Sequence, residues 1–206
     1  MEKRKRLLRV LLTCCLLTGL DQATKLGVHL TMAPGPLGEL PLIGTWLKLH
    51  YVLNPGMAFG MQIGHEYGKL VLVGFRLLAL WFICTWLVRL SQQPAPTTAV
   101  GAVTFIFSGA LGNVIDSTFY GVLLHNAPPD SPMAWFHGQV IDMIFADVWE
   151  GFLPRWLPVW GGQFISMPIF NLADSFIFMG IWWLLLFERR FLNQLLTPSP
   201  AERYSL

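Results

Sequence analysis

Four aspartates stand where a carboxylate is costly. Asp21 lies in the outer part of one apolar run, Asp116 ends another and Asp174 opens a third. Asp142 sits in V-I-D-M-I, between Val140, Ile141, Met143 and Ile144. A carboxylate inside a membrane segment is expensive and marks a functional site by default. Acids in such numbers do one of two chemistries. Two that share a proton can activate water and protonate a leaving group. Several together can hold Mg²⁺. Each also has a plainer explanation. An acid in a first helical turn gains about 0.3–1 kcal/mol from the helix dipole, which covers Asp174. Asn171 suits an N-cap, Asp116 an interfacial position, and Asp142 the wet face of a half-buried strand. Asp21, Asp116 and Asp174 at one membrane depth weigh towards a site.

The elements that must position these acids are membrane helices. Of 206 residues, 54% are hydrophobic and 13% charged, against about 25% charged in soluble domains. Mean hydropathy is +0.52. The expected fold is a mainly α membrane protein, a single domain over 1–206, with four spans at about 10–28, 70–88, 99–115 and 170–187. Cys14, Cys15 and Cys84 lie in apolar runs and form neither a disulfide framework nor a zinc site. A net charge of +2 says little; no nucleic-acid partner is expected.

The N-terminus has the basic start of a signal peptide but no A-x-A-like cleavage site. Leu12-Thr13-Cys14 is a poor lipoprotein site, so an uncleaved first helix is expected. Lys3, Arg4, Lys5, Arg6, Arg9, Arg89, Arg189, Arg190 and Arg203 fall on one side of the four-span arrangement. Lys25, Lys48, Lys69 and Arg155 fall on the other. The first side is cytoplasmic by the positive-inside rule, with both termini inside. The acids divide the other way: Glu2, Glu188 and Glu202 inside, the rest, Glu66 among them, outside.

The outer connections are 29–69 and 116–169. In the first, residues 45–53 are β-prone and Asn54-Pro55-Gly56 signals a turn, so a small outer sheet is expected. Asn54 reads equally as a turn residue and as an amide for an extended substrate backbone. The second connection carries Trp135, Trp149, Trp156 and Trp160 among other rings. So aromatic a segment belongs at the membrane surface. Gly109 and Gly112 suit close helix approach.

Five segments in order resemble lipoprotein signal peptidase, the signal peptidase II family of bacterial inner-membrane aspartic peptidases. They are D-Q-A-T-K at 21–25, N-P-G-M-A-F-G at 54–60, G-A-L-G-N-V-I-D at 109–116, V-I-D-M-I at 140–144 and F-N-L-A-D-S at 170–175. The resemblance implies a catalytic dyad of Asp142 and Asp174 near the outer interface. It implies substrate contacts by Asn54, Gly56, Asn113 and Asn171, with Asp21, Lys25 and Asp116 in support. It implies no cofactor and no metal. The implied substrate is a prolipoprotein, lipid-modified on the cysteine after the cut, in a monomeric enzyme among membrane lipids.

Two features depart from the family. Ser117 stands where the family has arginine, and Lys25 and Arg76 are the candidates to replace it. The stretch from Asp116 to Asp142 is also long, with an added loop within 117–139 to which no role is assigned. Three rivals stand beside this reading. A metal-dependent lipid-phosphate enzyme lacks an outer basic cluster for its phosphate. A proton or cation carrier would hold its acids nearer the midplane. A structural subunit leaves the acids unexplained.

Overall fold

Long apolar runs without proline form the helices. In the computed structural model, which describes residues 2–35, 38–56, 67–189, 191 and 193, these are α1 (Glu2–Thr31), α2 (Gly68–Gln92), α3 (Thr97–Ile115) and α4 (Leu172–Phe187). Residues 57–60 of the second motif lie outside the described residues, as do Glu66, Arg190, Glu202 and Arg203 of the charge pattern. The first three helices outrun the expected spans, α1 and α2 because the helical backbone continues through their charged ends, whereas α4 starts two residues after its expected span. α1 begins at Glu2 rather than near Val10, and α2 reaches Gln92. Pro94 and Pro96 separate α2 from α3. α1, α2 and the helical stretch from Thr97 to Leu123 are long and apolar enough to cross a membrane. α4 is apolar but shorter, at 16 residues.

The chain divides into two compact units. One comprises 1–21, 74–114 and 173–206; the other comprises 22–73 and 115–172. The first is helical. Val10, Cys14, Leu87, Leu90, Val103 and Leu184 form its core. Glycine allows the backbones within it to close up. A Cβ on Gly180 would fall 2.6 Å from the carbonyl oxygen of Ala102, and one on Gly109 would overlap that of Ala173.

The second unit is built on an antiparallel sheet of β1 (Glu39–Ile43), β2 (Leu47–Asn54), β3 (Val140–Ala146) and β6 (Ile169–Phe170), in that order across the sheet. The expected strand at 45–53 is β2. β1 is exposed along its length and carries Pro41, which an edge strand tolerates. Val28, Tyr51, Tyr120, Ile141 and Met143 pack as the core of this unit. Lys48 joins Glu39 and Asp147, each at 2.8 Å. Those carboxylates, Asp147 first, raise its ammonium above the usual lysine value.

After α3 the helix widens into a π turn at Asp116–Tyr120 and ends at Leu123. The added loop that follows is ordered by its own bonds. The Asn126 amide donates to the Gln139 carbonyl (2.9 Å), and the Gln139 amide donates to that of Asn126 (2.8 Å). Gly138 packs where a Cβ would overlap the Asp116 carbonyl oxygen. The aromatic segment forms a separate hairpin, β4 (Glu150–Phe152) with β5 (Phe164–Ser166). Phe152 and Phe164 pair across it at 5.2 Å, and Trp149, Trp156 and Trp160 are exposed.

Candidate active site

In the second unit, Asp142 lies mid-strand in β3, opposite Val52 of β2. It is 3% exposed, so the surface-acid explanation fails. A buried carboxylate needs donors, and both oxygens have one. Oδ1 accepts from the Asn171 amide at 2.7 Å, and Oδ2 accepts from the Asn54 amide at 2.9 Å. Asn54 is oriented by its own turn. Its side-chain oxygen accepts the Gly56 N–H at 2.7 Å, which leaves the NH₂ for Asp142. Gly56 has φ of 92°, a conformation that glycine adopts without strain. The Asn-Pro-Gly turn and the grip on Asp142 are one device.

The same unit buries a second acid. Asp116 and Lys25 are both fully buried and meet at 2.7 Å. Gln22 donates to Asp116 at 2.9 Å and accepts from the Tyr120 hydroxyl at 2.9 Å. Asp116 is therefore not an interfacial acid. The Lys25 ammonium faces a carboxylate of its own chain, whatever else it meets. Ser117 is fully buried, and its carbonyl accepts the Gly138 N–H at 3.1 Å. Arg76 lies half-buried on α2. Gln22 was not singled out in the sequence, although it stands in D-Q-A-T-K beside Asp21.

In the first unit, Asp174 occupies the first turn of α4 and is partly exposed. Asn113 of α3 donates to its Oδ1 at 2.8 Å. Asp21, fully buried, accepts the Ala173 N–H at 2.9 Å. The start of α4 thus receives its carboxylate from α1, where the free N–H groups and the positive dipole end attract one. Gly112 makes room: a Cβ there would overlap the Asp21 carboxylate. Asn171, expected as the N-cap of α4, stands just before Leu172 and gives its amide N–H to Asp142.

Each of the two principal carboxylates is thus held by neutral amides. Such donors fix the position of each carboxylate. Among the described residues, no three acid, histidine or cysteine side chains come together as metal ligands.

The chain is similar to known proteins. Residues 13–189 match the family described as signal peptidase (SPase) II. The lipoprotein signal peptidase of Amoebophilus asiaticus is 42% identical over 90% of this chain and 77% of its own. That of Porphyromonas gingivalis is 38% identical over 88% of this chain and 83% of its own. A solved bacterial membrane enzyme superposes with a TM-score of 0.56 at 24% identity, covering 88% of this chain and 93% of the other.

Proposed function

Because the chain belongs to the signal peptidase II family, we propose that Asp142 and Asp174 form the water-activating dyad of a peptidase that removes signal peptides from lipoproteins. The observation that carries this is the matched treatment of the two acids. Each accepts from an asparagine amide, at 2.7 and 2.9 Å for Asp142 and at 2.8 Å for Asp174. Asn171, which holds Asp142, precedes Asp174 by three residues.

Peptide hydrolysis needs a nucleophilic water and a proton for the leaving nitrogen. Two neighbouring carboxylates share one proton because both do not ionise easily together. The ionised member takes a proton from water as the oxygen attacks the scissile carbonyl. The protonated member donates to the carbonyl oxygen. Collapse of the tetrahedral intermediate breaks the C–N bond, and the amine leaves with a proton from the dyad. The pair titrates as a unit. No cofactor enters, and the enzyme works as a monomer.

The substrate is a prolipoprotein cut just before its lipid-modified cysteine. Its acyl chains stay in the leaflet and its signal helix in the membrane, which brings the bond to the dyad's depth. Asn54, Gly56, Asn113 and Asn171 border the reacting peptide, with Asp21, Lys25 and Asp116 behind them. The protein sits in the bacterial inner membrane with both termini cytoplasmic and the dyad near the outer interface.

The test is cleavage of a diacylglyceryl-modified prolipoprotein in detergent with excess chelator, read by gel shift. Wild type should cut before the modified cysteine, and Asp142→Asn and Asp174→Asn should each lose roughly 10³–10⁴-fold in rate. Ordinary turnover by either folded variant would sink the dyad, and chelator sensitivity would restore the metal reading.

A further inference from the structure

The first unit contains a cavity lined by none of the residues of the proposed reaction. It lies between the opening turns of α1 and the turn joining α2 to α3, and has a volume of about 900 Å³. That is within the range of small-molecule sites. Lys3, Lys5, Arg6 and Arg9 wall one side, and Gln92 and Gln93 belong to the other. Glu2 is the one acid in the lining. Four cations against one carboxylate leave an excess of three positive charges.

The cations differ in state. Arg6 is spent on structure: its terminal nitrogens donate to the carbonyls of Gln93 (3.0 Å) and Ala95 (2.6 Å). Its Nε is buried beside them without a partner. Among the described residues, Lys3, Lys5 and Arg9 have no ion-pair partner. Lys3 and Lys5 stand in the first turn of α1, at the positive end of its dipole, where cations are disfavoured. Membrane orientation accounts for basic residues on this side of the bilayer. It does not require them to enclose a cavity. The lining also turns apolar along the helix axes, with Val10 and Val100. A charged mouth that continues into an apolar wall matches an amphiphile.

We propose that this cavity binds the phosphate headgroup of an anionic glycerophospholipid, with the first carbons of an acyl chain against Val10 and Val100. The phosphodiester, with its single negative charge, is shared among Lys3, Lys5 and Arg9 and fastens the start of α1 to the α2–α3 turn, beside the Arg6 clasp.

Native mass spectrometry of the full-length enzyme in detergent tests this with phosphatidylglycerol and phosphatidylcholine of identical acyl chains. Phosphatidylglycerol should be retained at least about tenfold more strongly: both lipids offer the phosphodiester, but the choline cation of the second is repelled by the excess positive charge of the lining. Lys5→Gln with Arg9→Gln should abolish the preference. Arg4→Gln with Arg89→Gln removes the same charge from outside the cavity and should change it by no more than about twofold. Thr13→Trp, which narrows the cavity at constant charge, should also weaken retention. Equal retention of the two lipids, or equal losses in the two charge variants, would overturn the site. Inorganic phosphate binding as tightly as the lipid would overturn the lipid as its source.

Discussion

Asp116 and Asp142 are both buried acids of the same unit, and they are satisfied by opposite means. Asp116 meets an ammonium, Lys25, at 2.7 Å. Asp142 meets two neutral amides. A buried ion pair is costly to break, because removing either charge strands the other in low dielectric. Amides position a carboxylate without adding a charge beside it. Asp174, on Asn113, resembles Asp142 in this respect. The partners of an acid therefore distinguish an aspartate held in an ion pair from one held by amides, where burial does not.

The contrast makes its strongest demand on paired substitutions. Asp142→Asn should lose activity by the factor given above with its melting temperature nearly unchanged. Lys25→Met should do the reverse and lose about 3–5 kcal/mol of stability, because Asp116 is left unpaired. Lys25→Met with Asp116→Leu should recover most of it, as thermal melts in detergent will show. An active-site role for Lys25 beyond the ion pair would appear as lost cleavage in that stable double variant.

A smaller effect concerns the amides. Asn171→Ala removes a donor from an acid that is 3% exposed, and should lower kcat/KM by roughly 100-fold, or about 2.7 kcal/mol. Asn113→Ala acts on a partly exposed acid that also has the α4 dipole, and should cost roughly tenfold. The reverse order would show that solvent access, not burial, sets each acid's need for its amide. The smallest effect belongs to Asp21→Asn, which keeps an acceptor oxygen for the Ala173 N–H but loses the charge. It should lower stability by about 0.3–1 kcal/mol with little change in rate.

Much of this was legible in the sequence. Hydrophobic runs located the four helices, and β-prone residues located β2. Both aspartates lie in motifs short enough to recognise. What escaped was contact between distant residues. Asp21 serves α4 from 152 positions away, and no local pattern encodes that. Asn171 sits where an N-cap belongs, so its bond to Asp142 was hidden behind a commoner use of asparagine. Gln22 carried no charge or turn signal, yet it links Asp116 to Tyr120. The order within the added loop depends on Asn126 and Gln139 finding each other, which composition does not reveal. Phe136 there has φ of 63°, a conformation that aromatic residues rarely adopt.

The brevity of α4 bears on how a hydrolase works at a lipid boundary. Sixteen residues cover about 24 Å, some 6 Å less than the hydrocarbon of an average bilayer. A span that short is matched by thinning of the bilayer, by snorkelling of flanking residues or by oligomerisation. Asp174 stands at the helix's first turn. Under the proposed dyad, a bilayer thinned at that end would bring the aqueous surface, and so the second substrate, water, towards the carboxylate.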